Sequence, residues 1–64
     1  MEVYVERWVK PEGTEYPWSV WADGDQLYSS HGGPKYTSPD DSEIEALAFC
    51  AQQIKREPDR IIRL

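Results

Sequence analysis

The stretch from Ser38 to Glu57 constrains the fold more than any other part of the chain, because it alone is long and periodic enough to be read as a helix. Ser38 is an N-cap whose hydroxyl can accept a hydrogen bond from a free backbone N–H of the first turn. Pro39 follows at the first helical position, where its missing N–H costs nothing. Asp41, three residues after Ser38, approximates a capping box. Asp40, Asp41 and Glu43 sit at the positive end of the helix dipole, Lys55 and Arg56 at the negative end, and Pro58 stops the helix. Ile44, Leu47, Ala48, Ala51 and Ile54 recur at spacings of three and four, which predicts one apolar stripe facing a core, with Cys50 at its edge. At about 100° per residue Phe49 projects to the far side, near Glu45, Gln53 and Arg56. It is either a contact residue on the solvent face or an aromatic covered by a loop.

What precedes the helix reads as strands that need a cover. Val3 to Lys10 is β-branched and aromatic and is closed by Pro11, so it predicts a first strand. Alternation puts Val3, Val5, Arg7 and Val9 on one face and Tyr4, Glu6, Trp8 and Lys10 on the other. A bulge that re-registers the strand at Arg7 is the alternative. Glu12 to Glu15 reads as a loop flanked by Pro11 and Pro17. Trp18–Ala22 is a second strand, and Asp23-Gly24 is a strong signal for a type I′ hairpin leading to a third strand over Asp25–Ser30. A two-residue turn sets Val20 opposite Leu27 and Ser19 opposite Tyr28. Trp18, Val20 and Leu27 would then form the floor beneath the helix, while Trp21 and Tyr28 point away from it.

Ser30 to Thr37 is a loop by composition, serving either as a plain connector or as a binding loop. Arg60 to Leu64 predicts a final strand, parallel to the first and third. A right-handed crossover places it beside one of them; the first is preferred, with Ile62 and Leu64 facing the helix and Ile61 and Arg63 the open side. The expected fold is therefore α+β: a β-β-β-α-β domain spanning residues 1–64, with a mainly antiparallel sheet of three to four strands and one helix on one face.

Sixty-four residues bury only about 60% of their unfolded surface, so a large enclosed cavity is beyond reach. A single histidine and a single cysteine stand in different segments, and no CxxC, HxxxH or phosphate-loop spacing occurs. Neither a nucleophile–base pair nor a metal set is in view, so the chain is expected to be non-enzymatic and without a cofactor. A lone thiol fits a reducing cytosol, and the charged, strand-like start carries no signal-peptide pattern. No apolar run approaches the about 20 residues that span a bilayer. A cytoplasmic protein without membrane contact is the expectation.

Two further quantities point to function. The net charge of −5 disfavours nucleic acid and anionic membrane and suits a basic protein surface. Three tryptophans and four tyrosines exceed what one helix can cover. Tyr4, Trp8, Trp21 and Tyr28 are expected together on the sheet face away from the helix, and Phe49 on the helix's outer face. Glu12, Glu15, Asp40, Asp41 and Glu43 are expected at one end of the sheet. These ten residues form the candidate partner-binding set, aromatic anchors within an acidic rim. Two alternatives use the same aromatics. One is single-strand nucleic-acid binding, with Arg7, Lys10 and Arg63 on phosphates. The other is a homodimer whose sheet faces bury each other.

In size, acidity, order of elements and lack of a catalytic motif the chain resembles the small inhibitor proteins encoded by phages, including anti-CRISPR proteins and proteins that block host RNA polymerase. The resemblance implies an inhibitor that occludes a basic, nucleic-acid-handling surface of a host nuclease or polymerase.

Overall fold

The short apolar alternation at the N-terminus makes the central strand. In the computed structural model, which describes residues 1–64, β1 (Glu2–Val5) lies inside a four-stranded sheet with Val3 and Val5 buried. β4 (Trp18–Ala22) pairs antiparallel to it, with Val3 opposite Val20 and Val5 opposite Trp18. β5 (Asp25–Ser29) pairs antiparallel to β4, and β6 (Arg60–Arg63) parallel to β1. The order β5-β4-β1-β6 sets the C-terminal strand beside the first, as the crossover argument expected. The protein is a small α+β domain.

The predicted first strand is broken. Backbone pairing stops at Val5 and resumes in β2 (Trp8–Lys10), which forms a separate antiparallel ribbon with β3 (Gly13–Glu15). Glu12 to Glu15 is therefore not simply a loop. Lys10, Pro11, Glu12 and Gly13 fit a tight turn with proline second and glycine fourth, a signal the loop reading passed over. The ribbon leaves the main sheet at Glu6, whose N–H donates to the Pro17 carbonyl at 2.8 Å.

The hairpin turn is as expected, with positive φ at Asp23 (53°) and Gly24 (81°). Ala22 pairs with Asp25 and Trp21 with Gln26, but the ladder then shifts: Val20 pairs with Tyr28 and Ser19 with Ser29. Leu27 is the extra residue of a β-bulge. The one-residue slip turns Tyr28 onto the helix side, and Leu27, expected in the floor, is 48% exposed. Aromatic packing compensates, since Tyr28 stacks on Phe49 (centroids 4.2 Å apart, 28° between planes) and packs on Trp18 at 5.3 Å.

The helix α1 (Pro39–Phe49) begins as predicted, with the Ser38 hydroxyl accepting from the Asp40 and Asp41 N–H groups at 3.2 and 3.4 Å. It continues as a π-helical turn over Cys50–Ile54 and ends at Lys55, held in the left-handed region (φ 63°) with its N–H donating to the Cys50 carbonyl at 2.7 Å. Its orientation is opposite to the expected one. The fully buried face is Ser42, Ala46 and Cys50, at i, i+4 and i+8. Small side chains let the helix approach the valine floor closely, and the Ser42 hydroxyl donates to the Tyr16 carbonyl. Phe49 flanks this face, half-buried against Trp18 and Tyr28, and is not the solvent-facing aromatic the wheel predicted. Of the predicted stripe only Ile54 packs on the core; Ile44 is 62% and Leu47 41% exposed.

This inversion sets a prediction. Ala46→Leu is expected to cost about 1–3 kcal/mol by overpacking, whereas Leu47→Ser is expected to stay within about 0.5 kcal/mol, as at an exposed site. Chemical denaturation of both variants checks this; a Leu47→Ser loss exceeding that of Ala46→Leu would restore the conventional orientation.

β6 is also rotated relative to expectation. Ile61 packs towards the core and Arg63 reaches the helix, so Ile62 and Leu64 belong to the open side. No helix is long and apolar enough to cross a membrane.

Candidate protein-binding face

The helix covers one side of the sheet and leaves the other open. On β1 the open side carries Glu2, Tyr4 and then Glu6, and on β4 it carries Ser19 and Trp21, each alternating with a buried valine or tryptophan. Tyr4 and Trp21 meet edge to face, centroids 6.4 Å apart at 84°. The Trp21 indole N–H donates to the Ser19 hydroxyl at 3.0 Å, which holds the ring against the sheet. Both rings remain half-buried. With Gln26, Leu64, Glu6 and His31 they border an open hollow of about 370 Å³.

Glu6 ties this hollow to the ribbon. One of its carboxylate oxygens lies 2.7 Å from His31 Nε2, and the other accepts from the Trp8 indole N–H at 3.4 Å. Trp8 packs on the His31 ring, centroids 4.6 Å apart, and Lys10 Nζ sits 5.4 Å from the Trp8 ring. Tyr4, Trp21, Glu6, His31 and Trp8 thus form one continuous surface. Tyr28 does not join it, because the Leu27 bulge sends it to the helix side with Phe49. His31 was legible only as the start of a loop; its partner Glu6 is 25 residues away in sequence.

The expected acidic rim is partly neutralised. Glu15 pairs with Lys10 at 2.8 Å and Lys35 at 3.2 Å, and hydrogen bonds from these two ammonium groups hold its carboxyl below the usual range. Asp40 and Glu43 both bind the Arg63 guanidinium at 2.6 Å, which raises the arginine further above its ordinary value. Asp41 and Glu12 make no ion pair, and Glu12 stands exposed at the tip of the ribbon. Free carboxylates are therefore sparser at this end than expected.

Glu15 predicts a pH response. Its folded pKa is depressed, so its stabilising contribution is present above the unfolded value of about 4.3 and is lost as pH falls through the folded value. Glu15→Gln is expected to flatten the acid limb of stability as pH falls below the unfolded value of about 4.3, checked by denaturation at a series of pH values on either side of it. An unchanged limb would mean the pairs contribute nothing.

No three His, Cys, Asp or Glu side chains converge as metal ligands. Cys50 is fully buried beneath the helix, and burial raises its thiol pKa. It does not meet His31, which is exposed. Compared with protein-family models, curated proteins and solved structures, the chain matches none.

Proposed function

We propose that the chain is a non-enzymatic, cytoplasmic protein-binding module that lays its open sheet face on a basic, nucleic-acid-handling surface of a partner protein and so occludes it. An anti-CRISPR protein or an RNA-polymerase inhibitor encoded by a phage would act in this way. The single observation that supports this most is the pair Tyr4 and Trp21, fixed edge to face on the side no helix covers. Aromatic rings held by the scaffold lose little freedom on binding and make good anchors. Glu6, held by His31 and Trp8, borders the hollow beside them, and the net charge of −5 favours encounter with a basic partner.

The test is capture of partner from a host lysate on immobilised wild-type protein, with Tyr4→Ala and Trp21→Ala as controls, at low and high salt. The expected result is a nucleic-acid-handling protein lost in both variants and weakened by salt. Equal capture by all three proteins would overturn the proposal. The single-strand nucleic-acid alternative loses two of its three cations, since Lys10 is held by Glu15 and Arg63 by Asp40 and Glu43. Titration of tryptophan fluorescence with oligonucleotides separates the two.

A further inference from the structure

The stripe of Ile44, Leu47, Ala48 and Ala51 is a genuine amphipathic helix face, yet the fold turns it outward. The helix satisfies the sheet with Ser42, Ala46 and Cys50 and leaves this second apolar face uncovered, beside an open hollow of about 710 Å³ whose lining combines Leu47, Ala51 and Ile61 with the charged Glu57, Asp59 and Arg60. The charges at its two ends differ in sign. Asp41 lies towards the N-terminal end and Lys55 just beyond the C-terminal end, and neither has an ion-pair partner within the chain, although Glu57 also stands at the C-terminal end. Asp40 and Glu43 at the same N-terminal end are already taken by Arg63.

A face that is apolar in the middle, with unpaired Asp41 at one end and unpaired Lys55 at the other, is complementary to itself when reversed. We infer that it is a homodimer interface, in which two copies of this chain pair their helices antiparallel about a two-fold axis passing near Leu47 and Ala48. Ile44 of one copy then meets Ala51 of the other, Leu47 meets Ala48, and Asp41 meets Lys55 at both ends of the seam. Alanines at two of the four central positions allow a close helix approach, and a marginal core of this size gains stability from association. Charge complementarity selects a second copy over an unrelated protein, since one rotation satisfies both ends. This contact lies on the side of the domain opposite to Tyr4 and Trp21, so each dimer would present two open sheet faces, pointing away from each other.

Analytical ultracentrifugation from low micromolar to millimolar protein tests the inference. The wild type is expected to show a monomer–dimer equilibrium. Leu47→Glu is expected to weaken it at least about tenfold while the melting transition of the diluted monomer stays in place, because Leu47 is 41% exposed and lies outside the core cluster. Asp41→Lys and Lys55→Asp are each expected to weaken it, and the double exchange Asp41→Lys with Lys55→Asp to recover most of the loss. Lys55 is in the left-handed region, which aspartate tolerates. A chain that stays monomeric at every concentration would overturn the inference. So would a dimer that survives Leu47→Glu but dissociates in Trp21→Ala, which would put the contact on the sheet.

Discussion

Replacing Trp18 with alanine is expected to unfold the domain at room temperature. Trp18 opens β4 on the helix side, is 3% exposed, and lies where the sheet, the helix and the loop before it converge. Its ring contacts Tyr28 at 5.3 Å, Phe49 at 5.7 Å and Tyr36 at 6.4 Å. Its backbone is fixed as firmly: the N–H donates to the Ser30 hydroxyl at 2.8 Å and the carbonyl accepts from the Ser30 N–H at 2.9 Å. Truncating a buried tryptophan costs about 3–5 kcal/mol, and a single core of this size supplies about 3–5 kcal/mol in all. The seven-residue apolar core, three of whose members are valines, has little to compensate with. Trp18→Phe should behave differently. The indole N–H is buried without a partner, a penalty of about 1–3 kcal/mol that a phenyl ring removes, partly offsetting the smaller ring. Circular dichroism and thermal melts are expected to show Trp18→Ala without a cooperative transition and Trp18→Phe with one. A Trp18→Ala melt close to that of the wild type would mean that the aromatic cluster is not the keystone of this core.

The second large effect is on binding. Trp21→Ala is expected to weaken partner binding by about 2 kcal/mol, roughly thirtyfold, the size of effect that marks an interface hot spot. The ring is half-buried on the open face, braced by Ser19 and Tyr4, and removing it takes away the wall of the hollow. Tyr28→Ala is the matched control. Its ring lies on the helix side against Phe49, so it should lower stability and leave the affinity of the folded protein intact. Calorimetric titration of the captured partner with both variants, alongside melting curves, distinguishes loss of contact from loss of fold. If Tyr28→Ala weakened binding as much as Trp21→Ala, the helix-side edge of β5 would be part of the interface and the open face would not act alone.

The strands β4, β5 and β6, the Asp23-Gly24 turn, the Ser38 cap and the place of β6 beside β1 were legible in the chain, because each follows from local chemistry or from crossover geometry, whereas the break of the first strand into β1 and the β2–β3 ribbon was not. Facing was harder to read. The helix has two apolar faces, and the larger side chains suggested the wrong one; burial instead selected the smaller residues that permit close approach, with the Ser42 hydroxyl satisfied by Tyr16. The Leu27 bulge left no turn signal, and it alone moved Tyr28 from the proposed site to the core's edge. Arg63 on the helix side then withdrew Asp40 and Glu43 from the acidic rim. Of the aromatic set, Tyr4, Trp8 and Trp21 share one surface in the folded chain, and Glu6 and His31 join them through a long-range pair that no spacing announces.

Backbone amide NMR of the labelled protein, alone and in complex with its captured partner, examines the central claim most directly. Resonances of Tyr4, Glu6, Ser19, Trp21 and Ile62, with the Trp21 indole N–H, are expected to shift or broaden while those of Ile44 and Leu47 hold their positions. Movement confined to the helix, with the Tyr4 and Trp21 signals unchanged, would contradict it.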